Sequence, residues 1–142
     1  MCYAVFIATI TPLQTSEFMP DASKLHIELP GDEKLSGMKS KFTLPNIYYV
    51  GSYTKCSCGF VFHSWRFNDP EWEDNKPSAQ ALLQLLNQLT ITNDVEYYCC
   101  WDGEWHEPME HTRVLNSHEI TLEENYFELV ERGYIRFEKV NS

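Results

Sequence analysis

The sequence predicts an α+β fold: a single domain, 1–142, with a mostly antiparallel mixed sheet and two helices, at about 78–89 and 122–131. Three observations lead there. Short runs rich in β-formers recur at 2–8, 24–29, 46–50, 59–65, 95–101 and 134–140, grouped rather than alternating with helices. Only two stretches keep helical spacing. Turn residues such as Pro30-Gly31-Asp32, Asn93-Asp94 and Asp102-Gly103 punctuate the runs. A doubly wound parallel sheet would need more helical crossovers between its strands. The 142 residues suit one domain, and no internal repeat or boundary divides them.

Cys2–Ala8 is almost continuously apolar and too short for a typical helix. It reads as a central strand buried on both faces. The proline-containing segment from Thr11 to Asp21 reads as a connection. Lys24–Leu29 alternates, with Leu25, Ile27 and Leu29 facing in and Lys24, His26 and Glu28 facing out. Glu33–Lys41 is polar and locally basic, and is expected to be a mobile loop. Phe42–Val50 resumes extended structure, interrupted at Pro45, and Gly59–Trp65 is a further strand. Pro77 or Ser78 opens the clearest helix, Pro being tolerated in a first turn and Ser78 able to cap. Its apolar stripe is Ala79, Leu82, Leu83, Leu86 and Leu89, opposite Gln80, Gln84, Asn87 and Gln88. In the strand Val95–Trp101, Val95, Tyr97, Cys99 and Trp101 face the core, and Glu96, Tyr98 and Cys100 face a wetter side. Asp102-Gly103 is a hairpin signal, with Thr112–Asn116 as a return strand. Thr121-Leu-Glu-Glu124 has the capping-box pattern for the second helix, which Gly133 would stop.

The formal charge is −10, from 21 acidic against 11 Lys and Arg side chains. Such a surface repels phosphate backbones and suits a basic protein partner; no nucleic-acid partner is expected. No apolar run approaches the roughly 18 residues of a membrane span, and no secretory signal is seen. A cytoplasmic location is expected, where thiols stay reduced, and five cysteines do not make a complete disulfide framework.

Cys56 and Cys58 are two apart, so in an extended segment both thiolates can reach one metal ion. Zinc would need further ligands, and His63, His106 and His111 are candidates, His63 foremost. His106-Glu-Pro-Met-Glu-His111 is not a zinc-protease helix: the spacing is five and Pro108 interrupts it. Cys2 offers a different chemistry. With Met1 removed, its thiol would be an N-terminal nucleophile with its own α-amine as base. There is no phosphate-binding glycine loop and no Gly-x-Ser-x-Gly elbow.

Acids also surround aromatics in two loops. Trp72 lies among Glu71, Glu73 and Asp74, and Trp105 follows Asp102 and Glu104. Aromatic anchors ringed by charge are what protein interfaces use. The stretch Gly51-Ser52…Cys56-x-Cys58-Gly59-Phe60, together with the Met1-Cys2 opening, resembles a set of small bacterial proteins of unassigned function, and that resemblance implies no activity. In size, acidity and lack of catalytic motif the chain is similar in style to immunity proteins. The expectation is therefore a non-catalytic acidic module, immunity- or inhibitor-like, that binds a basic protein. The alternatives are a zinc- or redox-linked protein acting through Cys56 and Cys58, and a Cys2 nucleophile enzyme.

Overall fold

The structure is a computed structural model that describes residues 2–140. Its frame is a six-stranded sheet in the order β2-β3-β1-β4-β6-β5. The strands are β1 (Tyr3–Thr9), β2 (Leu25–Glu28), β3 (Asn46–Ser52), β4 (Val95–Trp101), β5 (His111–Leu115) and β6 (Gly133–Phe137). All neighbours run antiparallel except β5 and β6, which are parallel. Two helices complete the α+β architecture, α1 (Asp32–Lys39) and α2 (Lys76–Leu89). Among the described residues no helix is long and apolar enough to cross a membrane.

Both faces of the sheet are covered, which explains the unbroken apolar run of β1. Val5 and Ile7 point to one face with Val50, Tyr97 and Phe137. There α2 packs Ala79, Leu82, Leu83 and Leu86 onto the sheet, together with Phe60, Phe62, Tyr126 and Phe127. Ala4, Phe6 and Ala8 point to the other face, where Met38, Phe42 and Trp105 form a second layer. The polar face of α2 stays outside, with Gln80, Gln84 and Gln88 exposed. Asn75, rather than Ser78, occupies the cap position. The buried Ser78 hydroxyl instead donates to Lys24 O at 2.6 Å and accepts from Tyr53 N at 3.0 Å.

Several local expectations are corrected by tertiary packing. The stretch 122–131 is not helical. Thr121 Oγ1 does accept from Glu124 N at 3.1 Å, so the first turn forms. The adjacent rings of Tyr126 and Phe127, 4.5 Å apart, both lie in the core beyond that turn. The second helix is α1, in the segment expected to be a loop. Asp32 and Glu33 in its first turn and Lys39 in its last suit the helix dipole. Gly37 lets it sit directly on the Trp105 backbone: a Cβ there would lie 2.2 Å from Trp105 O. Residues 59–65 form no strand but 3-10 turns at Ser57–Phe60 and Ser64–Arg66, closed by Val61 N to Cys58 O at 3.1 Å and Arg66 N to His63 O at 2.9 Å, with Phe60 and Phe62 both in the α2-side core.

Burial of the second face moves other residues inward. Tyr98, Cys100 and Glu96, expected on a wetter side, are all buried. The Glu96 carboxylate is satisfied there by Thr43 N at 2.8 Å, Leu44 N at 2.7 Å and Tyr134 Oη at 2.6 Å. His26 is buried against Phe18 and Tyr49, and Leu29, beyond the end of β2, is exposed. Burial lowers the basicity of His26, although nearby Glu28 opposes the effect. The turn at Asp102-Gly103 forms with Gly103 at φ +98°, but β5 does not return along β4. β6 lies between them, pairing antiparallel with β4 and parallel with β5.

A three-cysteine candidate site

The register Val5↔Val50 brings the start of β1 to the end of β3. Beyond Val50 the strands diverge, and the loop leaving β3 folds back into the gap. The buried Ser57 hydroxyl bridges the opening: it accepts from Val5 N at 2.8 Å and donates to Val50 O at 2.7 Å. One step further along, Tyr3 N donates to Cys58 Sγ at 3.3 Å. The turn Ser57–Phe60 thus replaces β3 as the partner of the first residues of β1.

Ser52 anchors the rest of the loop. Its N–H and hydroxyl both donate to Cys56 O, at 2.9 and 2.6 Å, and its Oγ accepts from Gly59 N at 2.9 Å. Gly51 is required by close approach: a Cβ there would lie 2.0 Å from the His26 ring and 2.3 Å from Lys55 O. Cys56 is held in extended backbone at the mouth of the turn. Thr54 Oγ1 lies 3.2 Å from its sulfur. Cys2 sits just before β1, exposed, and its carbonyl accepts from Asp102 N at 2.7 Å.

The outcome is that the sulfurs of Cys2, Cys56 and Cys58 lie within 4.8 Å of one another. Among the described residues no other three potential metal ligands meet this closely. All three are free thiols, Cys56 and Cys58 half-buried. Tetrahedral zinc–thiolate bonds of about 2.3 Å place sulfurs about 3.8 Å apart, so the cluster needs to contract by only about 1 Å to hold an ion. Burial raises the Cys56 thiol, but hydrogen bonds from Thr54, the Cys58 backbone and the Cys58 and Cys2 thiols outweigh it and bring it below its ordinary value. Cys58 moves the other way: burial and the neighbouring Cys56 push it up to about 12, against the opposing Tyr3 N–H. The cluster therefore favours a first negative charge, on Cys56, and resists a second until a cation arrives.

The structure joins two candidates the sequence suggested separately, the Cys2 nucleophile and the Cys56/Cys58 ligand pair. The N-terminal amine chemistry of Cys2 turns on Met1, which lies outside the described residues. His63 is not part of this site. Its Nδ1 lies 2.7 Å from Glu128 Oε1, and its ring packs against Trp72 and Trp65. His106 and His111 are exposed and belong to no such cluster. Cys99 and Cys100 point to opposite faces of β4, and burial raises both thiols, Cys100 to about 12.

The aromatic–acid candidates do not form one surface. Trp105 is a core residue, 5% exposed, edge-on to Phe6 beneath α1. Trp72 is half-buried on the opposite face of the sheet, packed on the α2-side core. Glu71 and Glu73 pair locally, with Arg66 at 3.9 Å and Lys76 at 3.0 Å, and Asp74 is exposed. Asp102 is exposed beside the thiol site, and Glu104 Oε1 accepts from Trp101 N at 2.9 Å. Among the described residues the most exposed tryptophan is Trp65, 72% exposed with Arg66 stacked on it at 4.4 Å. Its place at the end of an apolar run gave no sign of exposure.

Compared with known proteins, the chain finds no match: no family model, no curated protein and no solved structure matches it.

Proposed function

We propose that the protein binds a thiophilic metal ion, zinc first among them, through Cys2, Cys56 and Cys58. The carrying observation is the approach of three free thiols, from two distant segments, to within 4.8 Å of one another. Thiolate sulfur selects soft and borderline ions, and a three-thiolate set on zinc leaves the fourth position for a water or a small ligand. Cys2 is exposed, so the cluster is open to solvent on its side. Three thiolates also belong in a reducing compartment such as the cytoplasm, where they stay available to a metal. The net charge of −10 favours cation capture and disfavours nucleic acid. Binding of a basic protein draws on the same charge, but it loses Trp105 as an anchor.

Elemental analysis of the full chain, purified without chelator, tests the metal. The expected result is about one zinc per chain, lost in Cys56→Ala and in Cys58→Ala and weakened about tenfold or more in Cys2→Ala. If the folded wild-type chain holds no stoichiometric metal after reconstitution with zinc, the proposal is wrong.

A further inference from the structure

We propose that the three-cysteine site is also a hydroperoxide-oxidised site, at which Cys56 and Cys2 join in a disulfide and a bound metal ion is expelled. The inference rests on the metal reading only for the expulsion; formation of the disulfide stands on the thiol geometry alone. Three sulfurs lie within 4.8 Å of one another, close enough for a sulfur oxidised on one residue to be attacked from another.

The surroundings assign the roles. Cys56 is half-buried, with the Thr54 hydroxyl 3.2 Å from its sulfur, a polar group able to hold a peroxide oxygen. Cys58 is the least able to move. Its sulfur accepts the Tyr3 N–H, and it lies between buried Ser57 and buried Gly59. A Cβ on Gly59 would lie 2.3 Å from Ser52 Oγ, so this turn is packed tightly against β3. A bridge between Cys56 and Cys58 would have to distort that turn, because a disulfide demands a specific separation and dihedral of its two halves. Cys2 lies outside that turn: its carbonyl is held by Asp102 N at 2.7 Å, but its side chain is exposed and precedes the first strand residue. It is the thiol free to travel to Cys56.

The chemistry balances as follows. The Cys56 thiolate attacks one oxygen of a hydroperoxide, the O–O bond breaks, and the remaining oxygen leaves as alcohol or water after taking a proton. Cys56 is then a sulfenic acid. The Cys2 sulfur attacks the Cys56 sulfur, the S–O bond breaks, and hydroxide departs as water with the Cys2 proton. Two sulfurs have lost two electrons, and the hydroperoxide has gained them. In the metal-bound form solvent supplies the two protons. Cys58 alone then remains as a ligand, and the ion is released.

The test is intact-mass analysis and peptide mapping of the full chain, reduced and then treated with one equivalent of hydrogen peroxide, once metal-free and once zinc-loaded. The expected product in both has lost two hydrogens and carries a Cys2–Cys56 cross-link, with its zinc recovered by a chromogenic chelator. Cys58→Ala retains the cross-link. Cys2→Ala reduces bridging at Cys56 about tenfold or more and leaves a sulfenic acid there that dimedone traps. A cross-link between Cys56 and Cys58, or oxidation of Cys99 or Cys100 before Cys56, overturns the proposal, as does peroxide treatment that yields only over-oxidised thiols. If zinc never binds but the Cys2–Cys56 bridge forms, the metal reading has failed and this one stands. If zinc binds and peroxide leaves the thiols unbridged, the reverse holds.

Discussion

Replacing Ser57 by alanine should destabilise the protein by about 2–4 kcal/mol, far more than a surface serine would. The reason is its position between two strands. The hydroxyl is fully buried and takes the place of a ladder bond, accepting from Val5 N at 2.8 Å and donating to Val50 O at 2.7 Å. Alanine removes both bonds while leaving a buried donor and a buried acceptor, each worth about 1–3 kcal/mol when unsatisfied. Some relaxation of the loop offsets part of that sum. For a domain of this size the midpoint of thermal unfolding should fall by about 10 °C. Urea titration, with chelator present so that metal does not contribute, should show a lower midpoint at unchanged slope. Ser40→Ala is the control, since its exposed hydroxyl donates to Gly37 O at 2.8 Å at the end of α1 and accepts from Lys41 Nζ at 3.3 Å, without bridging two strands. A Ser57→Ala protein within about 0.5 kcal/mol of the parent would refute the bridge, and with it the account of how Cys58 is placed.

Two further outcomes follow from other parts of the molecule. Trp105→Ala should lose about 3–5 kcal/mol, because the ring is 5% exposed and packs on Phe6, whereas Trp65→Ala, at a position 72% exposed, should change stability by less than about 0.5 kcal/mol; equal effects in urea titration would mean that Trp105 is not a core residue. Zinc affinity should rise with pH. The Cys58 thiol, held up to about 12, is protonated in the metal-free protein across the neutral range, so binding must expel its proton and the affinity should gain at least about tenfold per pH unit between about pH 6 and 9; a flat profile by competition with a chelator would remove Cys58 from the ligand set.

Much of the fold could be read from residue pattern, and the limits of that reading are physical. Val95–Trp101 matched β4 residue for residue, because a seven-residue run of β-formers between turn signals admits little else. The stripe Ala79, Leu82, Leu83 and Leu86 placed α2 for the same kind of reason. The failures cluster where distant packing decides. α1 has too few apolar residues to announce itself, since its stability comes from Gly37 and Met38 meeting the Trp105 loop. The capping pattern at Thr121 yields only a turn, and Tyr126 and Phe127 beyond it enter the core from non-helical backbone. His26 and Glu96 looked outward because alternation shows two faces of a strand and not whether both are covered.

The candidate site shows the same division more sharply. Cys56 and Cys58 were visible as a pair because their spacing is local. Cys2 was visible only as a separate nucleophile candidate, since joining it to the pair requires the antiparallel register of β1 on β3, which no single stretch contains. His63 failed in the opposite way: only five positions past Cys58, it lies beyond the turn Ser57–Phe60 and faces Glu128 instead. Register is therefore the property on which the site depends. A one-residue slip of a strand turns every side chain to the opposite face. Here it would also break the Val5–Ser57–Val50 bridge and part the Tyr3 N–H from Cys58. The hydroxyls of Ser52 and Ser57, which contribute no ligand themselves, hold the loop in the one alignment where three sulfurs meet. That Gly51-Ser52 and Ser57 belong to the same short segment as Cys56 and Cys58 is then no coincidence of composition: the segment carries both the ligands and the hydrogen bonds that fix where they stand.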